Sequence, residues 1–212
     1  MRRKDYGESQ ETQGIIYERI FNGVRIRLSR KLVSPVYLPV QRHTDTVIKL
    51  TSLTQKPEVG DSVITNLEGV EIGIKTADCV PIALVGENWV GVIHAGWRGL
   101  YKGIIPKTIE AMRKEGEKQL YAFVFPSAKA CCYEVGPEFK SFFSRNLIEK
   151  NGKLFFDPQE EAILQLQENG VKVVEVLRDC TICNLRYPSY RRDKTEERIF
   201  TSVIKLSPYK TP

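Results

Sequence analysis

Between Val70 and Ile93 the chain passes through three apolar stretches in close succession: Val70-Glu71-Ile72-Gly73-Ile74-Lys75, Pro81 to Val85, and Trp89 to Ile93. Each reads as a strand, bounded by turn residues or by reactive side chains. Upstream, Ile15 to Phe21 and Val24 to Ser29 alternate with period two across Asn22-Gly23, the sequence of a tight hairpin. Leu100, Ile104, Ile105, Ile109 and Met112 recur at helical spacing before Gly116, which predicts a covering helix over 100–115. Asp157-Pro158 followed by Glu160 and Glu161 predicts a second helix, capped by Asp157 and closed by Gly170. A third is predicted to begin near Pro137 and carry Phe139, Phe142, Phe143 and Leu147. Strand-like segments at 120–125, 171–177 and 199–206 complete a mixed α/β pattern. There is no repeat, low-complexity tract or linker, so one domain is expected over 1–212.

The bulk properties narrow the function classes. At 42% hydrophobic and 27% charged residues over 212, the chain has the balance of a globular protein with a full core. Its charged N-terminus lacks a secretory apolar run and no stretch reaches the ~20 apolar residues of a membrane span, so a cytoplasmic protein is expected. The net charge of +6 comes from Lys and Arg spread among 26 acidic residues, which argues for a solubilising surface and against nucleic acid as partner. Five cysteines, with Cys131 and Cys132 adjacent, are a poor start for a disulfide framework; thiols or metal ligands are the better reading.

Only two histidines occur, in Gln41-Arg42-His43-Thr44-Asp45 and in His94-Ala95-Gly96-Trp97-Arg98-Gly99, with Thr76-Ala77-Asp78-Cys79 between them. Two imidazoles and a thiolate are preferred zinc donors, and three protein ligands leave a fourth tetrahedral position for water or substrate. Spacing alone does not establish such a site: His43 can be a surface residue, Cys79 a small buried hydrophobe, and His94 a strand-end residue bonded to backbone. Cys180-Thr181-Ile182-Cys183 has the spacing of half a structural zinc site or of a redox pair, and a lone pair of this kind is weak evidence. Cys132 is a further thiol whose activation would need a nearby base or positive charge.

Thr76-Ala77-Asp78-Cys79-Val80-Pro81, His94-Ala95-Gly96-Trp97-Arg98-Gly99, Cys132-Tyr133-Glu134-Val135-Gly136 and Tyr190-Arg191-Arg192-Asp193-Lys194 carry a family resemblance. From about Gln41 to about Lys205 the chain resembles the YfiH-like, laccase-domain family. The resemblance implies a single-domain four-layer α-β-β-α sandwich of mixed sheets, with the metal on His43, Cys79 and His94. It also implies phosphorolysis of adenosine, inosine, guanosine or methylthioadenosine, together with conversion of adenosine to inosine. The expected partners are therefore small molecules, purine nucleosides and phosphate, and the expected cofactor is Zn2+, with copper as the alternative.

On that reading Cys79 and His94 are catalytic as well as ligating, and Asp78 is an acid, a base or a support for the ligand beside it. Arg98, Arg191, Arg192 and Gln41 are the expected phosphate and substrate contacts; the structural alternatives are stacking on Trp97 or a helix cap for Arg98 and a solvated charged turn for Arg191-Arg192. A multicopper oxidase is excluded by ligand count, because a blue copper and a trinuclear cluster need far more than two histidines. The chain departs from the family at its N-terminal part, at Arg42, where a small apolar residue is usual, and at Phe125-Pro126-Ser127, where a glycine is usual. Two other functions stay open: a cysteine hydrolase or deamidase with Cys79 as nucleophile and His94 as base, and a non-catalytic metal- or nucleotide-binding protein.

Overall fold

A computed structural model describes residues 14–207; the charged N-terminal segment read above lies outside the described residues. The hairpin forms as its sequence dictates. β1 (Ile15–Phe21) and β2 (Val24–Ser29) pair antiparallel with Phe21 opposite Val24, and Asn22 and Gly23 both take the positive φ that a two-residue turn needs. Later segments complete two sheets. The first has the order β1-β2-β13-β5, all antiparallel, with β5 (Glu71–Thr76) and β13 (Ile199–Lys205). The second is mixed, in the order β12-β8-β6-β7-β4-β3. It contains β3 (Val47–Leu50), β4 (Ser62–Thr65), β6 (Val80–Val85), β7 (Val90–Ala95), β8 (Tyr121–Val124) and β12 (Lys172–Val176).

Every residue of β6 and β7 is buried, because the second sheet is covered on both faces. Ala83, Val85, Val90 and Val92 face the first sheet, where they meet Ile26, Leu28, Ile72, Ile74 and Val203. Ile82, Leu84, Ile93 and Ala95 face the helices. Each such buried aliphatic side chain contributes about 2 kcal/mol relative to exposure. Outside the first sheet, Val36 and Leu38 of an extended segment pack over Gly73, where a β-carbon would lie 2.8 Å from Val36 Cγ1. Two sheets packed face to face, one of them mixed and covered by helices, give the α+β architecture that was expected.

The covering helix expected over 100–115 is two helices, α1 (Trp97–Lys102) and α2 (Ile104–Lys114). Gly103 breaks it at φ +85°, and Pro106 has no N–H to offer the Lys102 carbonyl that a continuous helix would bond. The helix starting near Pro137 is a single turn, α3 (Phe139–Phe142). Leu147 belongs to a separate hairpin, β10 (Leu147–Lys150) and β11 (Lys153–Phe156), which pairs with the short β9 (Glu134–Val135). The helix α4 (Pro158–Glu168) begins as expected, the Asp157 carboxylate accepting the Glu160 N–H at 3.0 Å. One turn, α5 (Tyr190–Asp193), precedes β13. Among the described residues no helix is long and apolar enough to cross a membrane.

Candidate metal centre and cationic cavity

Three chain segments bring the donors together. The crossing from β5 to β6 is Ala77-Asp78-Cys79, turned sharply by Asp78 at φ +80°. β7 lies antiparallel to β6 with Pro81 opposite His94, so His94 stands beside the crossing. His43 comes from the loop before β3 and also has positive φ, +56°. The ligand atoms of His43, Cys79 and His94 all lie within 4.8 Å of one another, with Cys79 Sγ 3.8 Å from His43 Nε2.

Asp61 organises this arrangement, and the sequence reading did not find it. It immediately precedes β4, whose antiparallel pairing with β7 places it next to His94. Its fully buried carboxylate accepts backbone N–H groups from Arg42, His43 and Thr44, the Thr44 hydroxyl, and His94 Nδ1 at 2.6 Å. The strained loop carrying His43 is thus hung on one acid, and that acid also fixes His94, leaving Nε2 for a metal. The Arg42 side chain is exposed and only its amide is used, so the bulky residue at this point is accommodated. Gly96 supplies the remaining space: a β-carbon there would lie 2.8 Å from His43 Cδ2 and 3.1 Å from Cys79 Sγ.

The electrostatics follow from this packing. Burial pushes the Cys79 thiol up, but the His94 and His43 imidazoles outweigh it and bring it down to about 6. Burial pulls His94 down, and the Cys79 sulfur and the Asp61 carboxylate reverse that, raising it to about 9. Burial would raise Asp61, yet its bonds to His94 and Thr44 hold it well below the usual carboxylate range. Two imidazoles and a thiolate, one imidazole braced by a buried carboxylate and the cluster given room by a glycine, fit a zinc-type ion chemically.

The cluster opens into a cavity of about 670 Å3. Its wall carries five cations, Lys75, Arg98, Arg191, Lys194 and Arg198, and three aromatic rings, Trp97, Tyr133 and Tyr190. Arg98 lies 4.4 Å over the Trp97 ring and Arg191 lies 4.7 Å over Tyr133. Of the expected substrate contacts, Arg98, Arg191 and Gln41 line this cavity. The Gln41 amide is committed to backbone, its nitrogen donating to the Lys75 carbonyl at 2.8 Å and its oxygen accepting the Lys75 N–H at 2.9 Å.

Arg192 is not on the wall. Its guanidinium is bound to the carbonyls of Thr181, Ile182 and Tyr187 and to Asp193, so the expected phosphate contact is instead a brace of the 181–187 segment. Asp78 touches the cavity, but its carboxylate accepts Thr181 Oγ1 at 2.7 Å, Ser189 Oγ at 3.1 Å and the Arg191 N–H at 2.7 Å. The sequence did not point to Lys75, Trp97, Tyr133, Tyr190, Lys194 and Arg198 as wall residues, although Trp97, Tyr133, Tyr190 and Lys194 lie inside the family motifs.

Residues 21–207 match the family described as multi-copper polyphenol oxidoreductase laccase, and the chain belongs to that family, which includes the YfiH proteins. Among its relatives is the purine nucleoside phosphorylase of Aquifex aeolicus, 56% identical over 214 residues, spanning 97% of this chain and 100% of that protein. The purine nucleoside phosphorylase YfiH of Escherichia coli is 31% identical over 179 residues, covering 80% of this chain and 73% of that one. A Neisseria meningitidis crystal structure shares the fold with a TM-score of 0.81 at 22% identity, over 92% of this chain and all of its own. YlmD of Geobacillus stearothermophilus matches with a TM-score of 0.72 at 25% identity, over 81% of this chain and 74% of its own.

Proposed function

We propose that this chain is a purine nucleoside phosphorylase whose centre is a zinc ion on His43, Cys79 and His94, acting on adenosine, inosine, guanosine or methylthioadenosine and also deaminating adenosine. The observation that carries the reading is the convergence of these three donors at a cavity whose other walls combine cations with aromatic rings. The names of the relatives support it.

In phosphorolysis a phosphate oxygen bonds to ribose C1′ while the C1′–N bond breaks, its electron pair leaving with the purine, which takes up a proton. The chain's contribution is largely electrostatic. Arg98 and Arg191, with Lys75, Lys194 and Arg198 nearby, hold the phosphate and keep it against the sugar. The Trp97 and Tyr133 rings offer flat faces to the purine. Burial, then the nearby Cys79 sulfur, pushes the Tyr133 hydroxyl up to about 12, so it meets the ligand as a hydrogen-bond donor. Asp78 positions the Ser189–Arg191 turn. His43, Cys79 and His94 would hold a zinc ion, which would supply the Lewis acidity that deamination requires. Copper binds the same donors with higher raw affinity.

One observation favours a second reading, a cysteine hydrolase. Without metal, Cys79, His94 and Asp61 follow the order of nucleophile, base and orienting acid. Metal content by mass spectrometry on the wild-type chain and His94→Ala, with adenosine and phosphate turnover followed by chromatography, separates the two. Zinc loss together with loss of adenine and inosine formation supports the metal-centred enzyme. Turnover that persists in a metal-stripped chain and is abolished by alkylating Cys79 overturns it.

A further inference from the structure

Two cysteine pairs far apart in sequence meet near the Asp78 turn. β8 and β12 are adjacent and parallel, so the chain leaves both at the same edge of the sheet, β8 after Val124 and β12 after Val176. The two exit segments stay paired beyond the strands. The Leu177 N–H donates to the Val124 carbonyl at 2.9 Å, Ser127 bridges Cys180 in parallel register, and the Thr181 N–H donates to the Ser127 carbonyl at 2.9 Å. Cys131 and Cys132 follow on one side after Ala128-Lys129-Ala130, and on the other Cys180 itself opens the Cys180-Thr181-Ile182-Cys183 turn.

All four sulfur atoms lie within 4.8 Å of one another and Cys131 and Cys183 are 3.4 Å apart; Cys132 and Cys183 are joined as a disulfide, where the cysteine count had argued for thiols or metal ligands. Sulfurs around a tetrahedral zinc, each at ~2.3 Å from it, stand ~3.8 Å apart. Two disulfides would tie the same segments pairwise and would not need one common focus; a single ion requires it. The spacing of Cys180 and Cys183 is that of half a structural zinc site, and the adjacent Cys131 and Cys132 complete the set.

We propose that Cys131, Cys132, Cys180 and Cys183 form a second metal centre, a closed tetrathiolate zinc site separate from the cavity. An external thiol reductant first supplies two electrons and two protons to open the Cys132–Cys183 disulfide; the four thiols then release their protons and each sulfur gives the ion an electron pair, with no further change of oxidation state. The site's neighbours explain its use. Tyr133, on the cavity wall, directly follows Cys132, and Thr181, inside the Cys-x-x-Cys turn, donates its hydroxyl to Asp78 at 2.7 Å. The carbonyls of Thr181 and Ile182 hold Arg192. An ion here therefore locks one wall of the cavity in place, whatever reaction the cavity performs.

The test uses the full chain, purified with reductant and without chelator, and reads zinc by mass spectrometry and cobalt(II) by absorption. About two zinc ions per chain are expected in the wild type, about one in Cys180→Ser/Cys183→Ser, and about one in Cys79→Ala. Cobalt in Cys79→Ala should show the strong sulfur-to-metal absorption of a tetrathiolate, and that band should be missing from Cys180→Ser/Cys183→Ser. Because that double variant can misfold, alkylation of the folded Cys79→Ala chain gives an independent readout: zinc should protect these four cysteines together. A Cys79→Ala chain that binds neither metal overturns the proposal. So does a mass deficit of two hydrogens per disulfide across these cysteines in the reduced preparation. If wild type and Cys79→Ala both hold one zinc, the tetrathiolate stands and the metal at His43, Cys79 and His94 falls.

Discussion

Asp61 and His94 are joined by a 2.6 Å hydrogen bond between a carboxylate with no solvent exposure and an imidazole 4% exposed. Because the same carboxylate carries three backbone amides of the His43 loop, Asp61→Asn disturbs two ligands at once: an amide cannot accept at both ends. Zinc affinity, measured by chelator competition, should fall about 10- to 100-fold. Urea unfolding should show a loss of about 1–3 kcal/mol from the donors left unpartnered. Unchanged affinity would mean that Asp61 only supports the loop.

Gly96→Ala tests the space beside the donors. Its backbone, at φ −73°, accepts alanine, so the effect should be steric and local: a methyl 2.8 Å from His43 Cδ2. Metal content should drop well below one per chain while the melting temperature falls only about 2–4 °C, equivalent to about 1 kcal/mol. Full metal loading would show that the His43 loop yields freely.

Arg98 and Arg192 should separate cleanly. Arg98→Ala, which removes a cation from the cavity wall, should raise the KM for phosphate about tenfold, or about 1.4 kcal/mol, with little change in melting temperature. Arg192→Ala should instead cost about 1–3 kcal/mol of stability, because the Thr181, Ile182 and Tyr187 carbonyls lose their donor. The reverse pattern in steady-state kinetics and thermal melts would reassign both arginines.

Asp157→Ala should cost about 1 kcal/mol through the lost helix cap, and Asp157→Asn should recover most of it. Chemical denaturation of the two variants side by side measures the difference. Equal losses would point to the 3.5 Å ion pair with Lys129 as the dominant contribution.

What the sequence made legible were features whose cause is local. Asn22-Gly23 and Asp157-Pro158 act within a few residues, and the hairpin and α4 appear where they were expected. Asn151-Gly152 is an equally local signal; both residues have positive φ and turn the chain between β10 and β11. The aromatic spacing at 139–147 misled because Phe139 and Phe143 pack against Phe156 in a tertiary cluster that does not require a continued helix. The three candidate ligands stand out by residue type and family resemblance, whereas their meeting depends on strand register that spacing does not encode. Sequence does not separate Arg191 from Arg192, yet neighbours on a helical turn point about 100° apart, one to the cavity and one to the 181–187 carbonyls. Asp61 gave no signal beyond a single acid before an apolar strand.

The turn that carries Cys79 is also where the chain leaves one sheet of the sandwich for the other, β5 belonging to the first and β6 to the second. His94, by contrast, is rooted in the second sheet alone. An ion shared by these residues would work as a rivet at a seam. Sliding of the sheets past each other would pull its donors apart before either sheet lost a strand, so the colour of a bound cobalt ion would report slippage of the whole sandwich ahead of its melting.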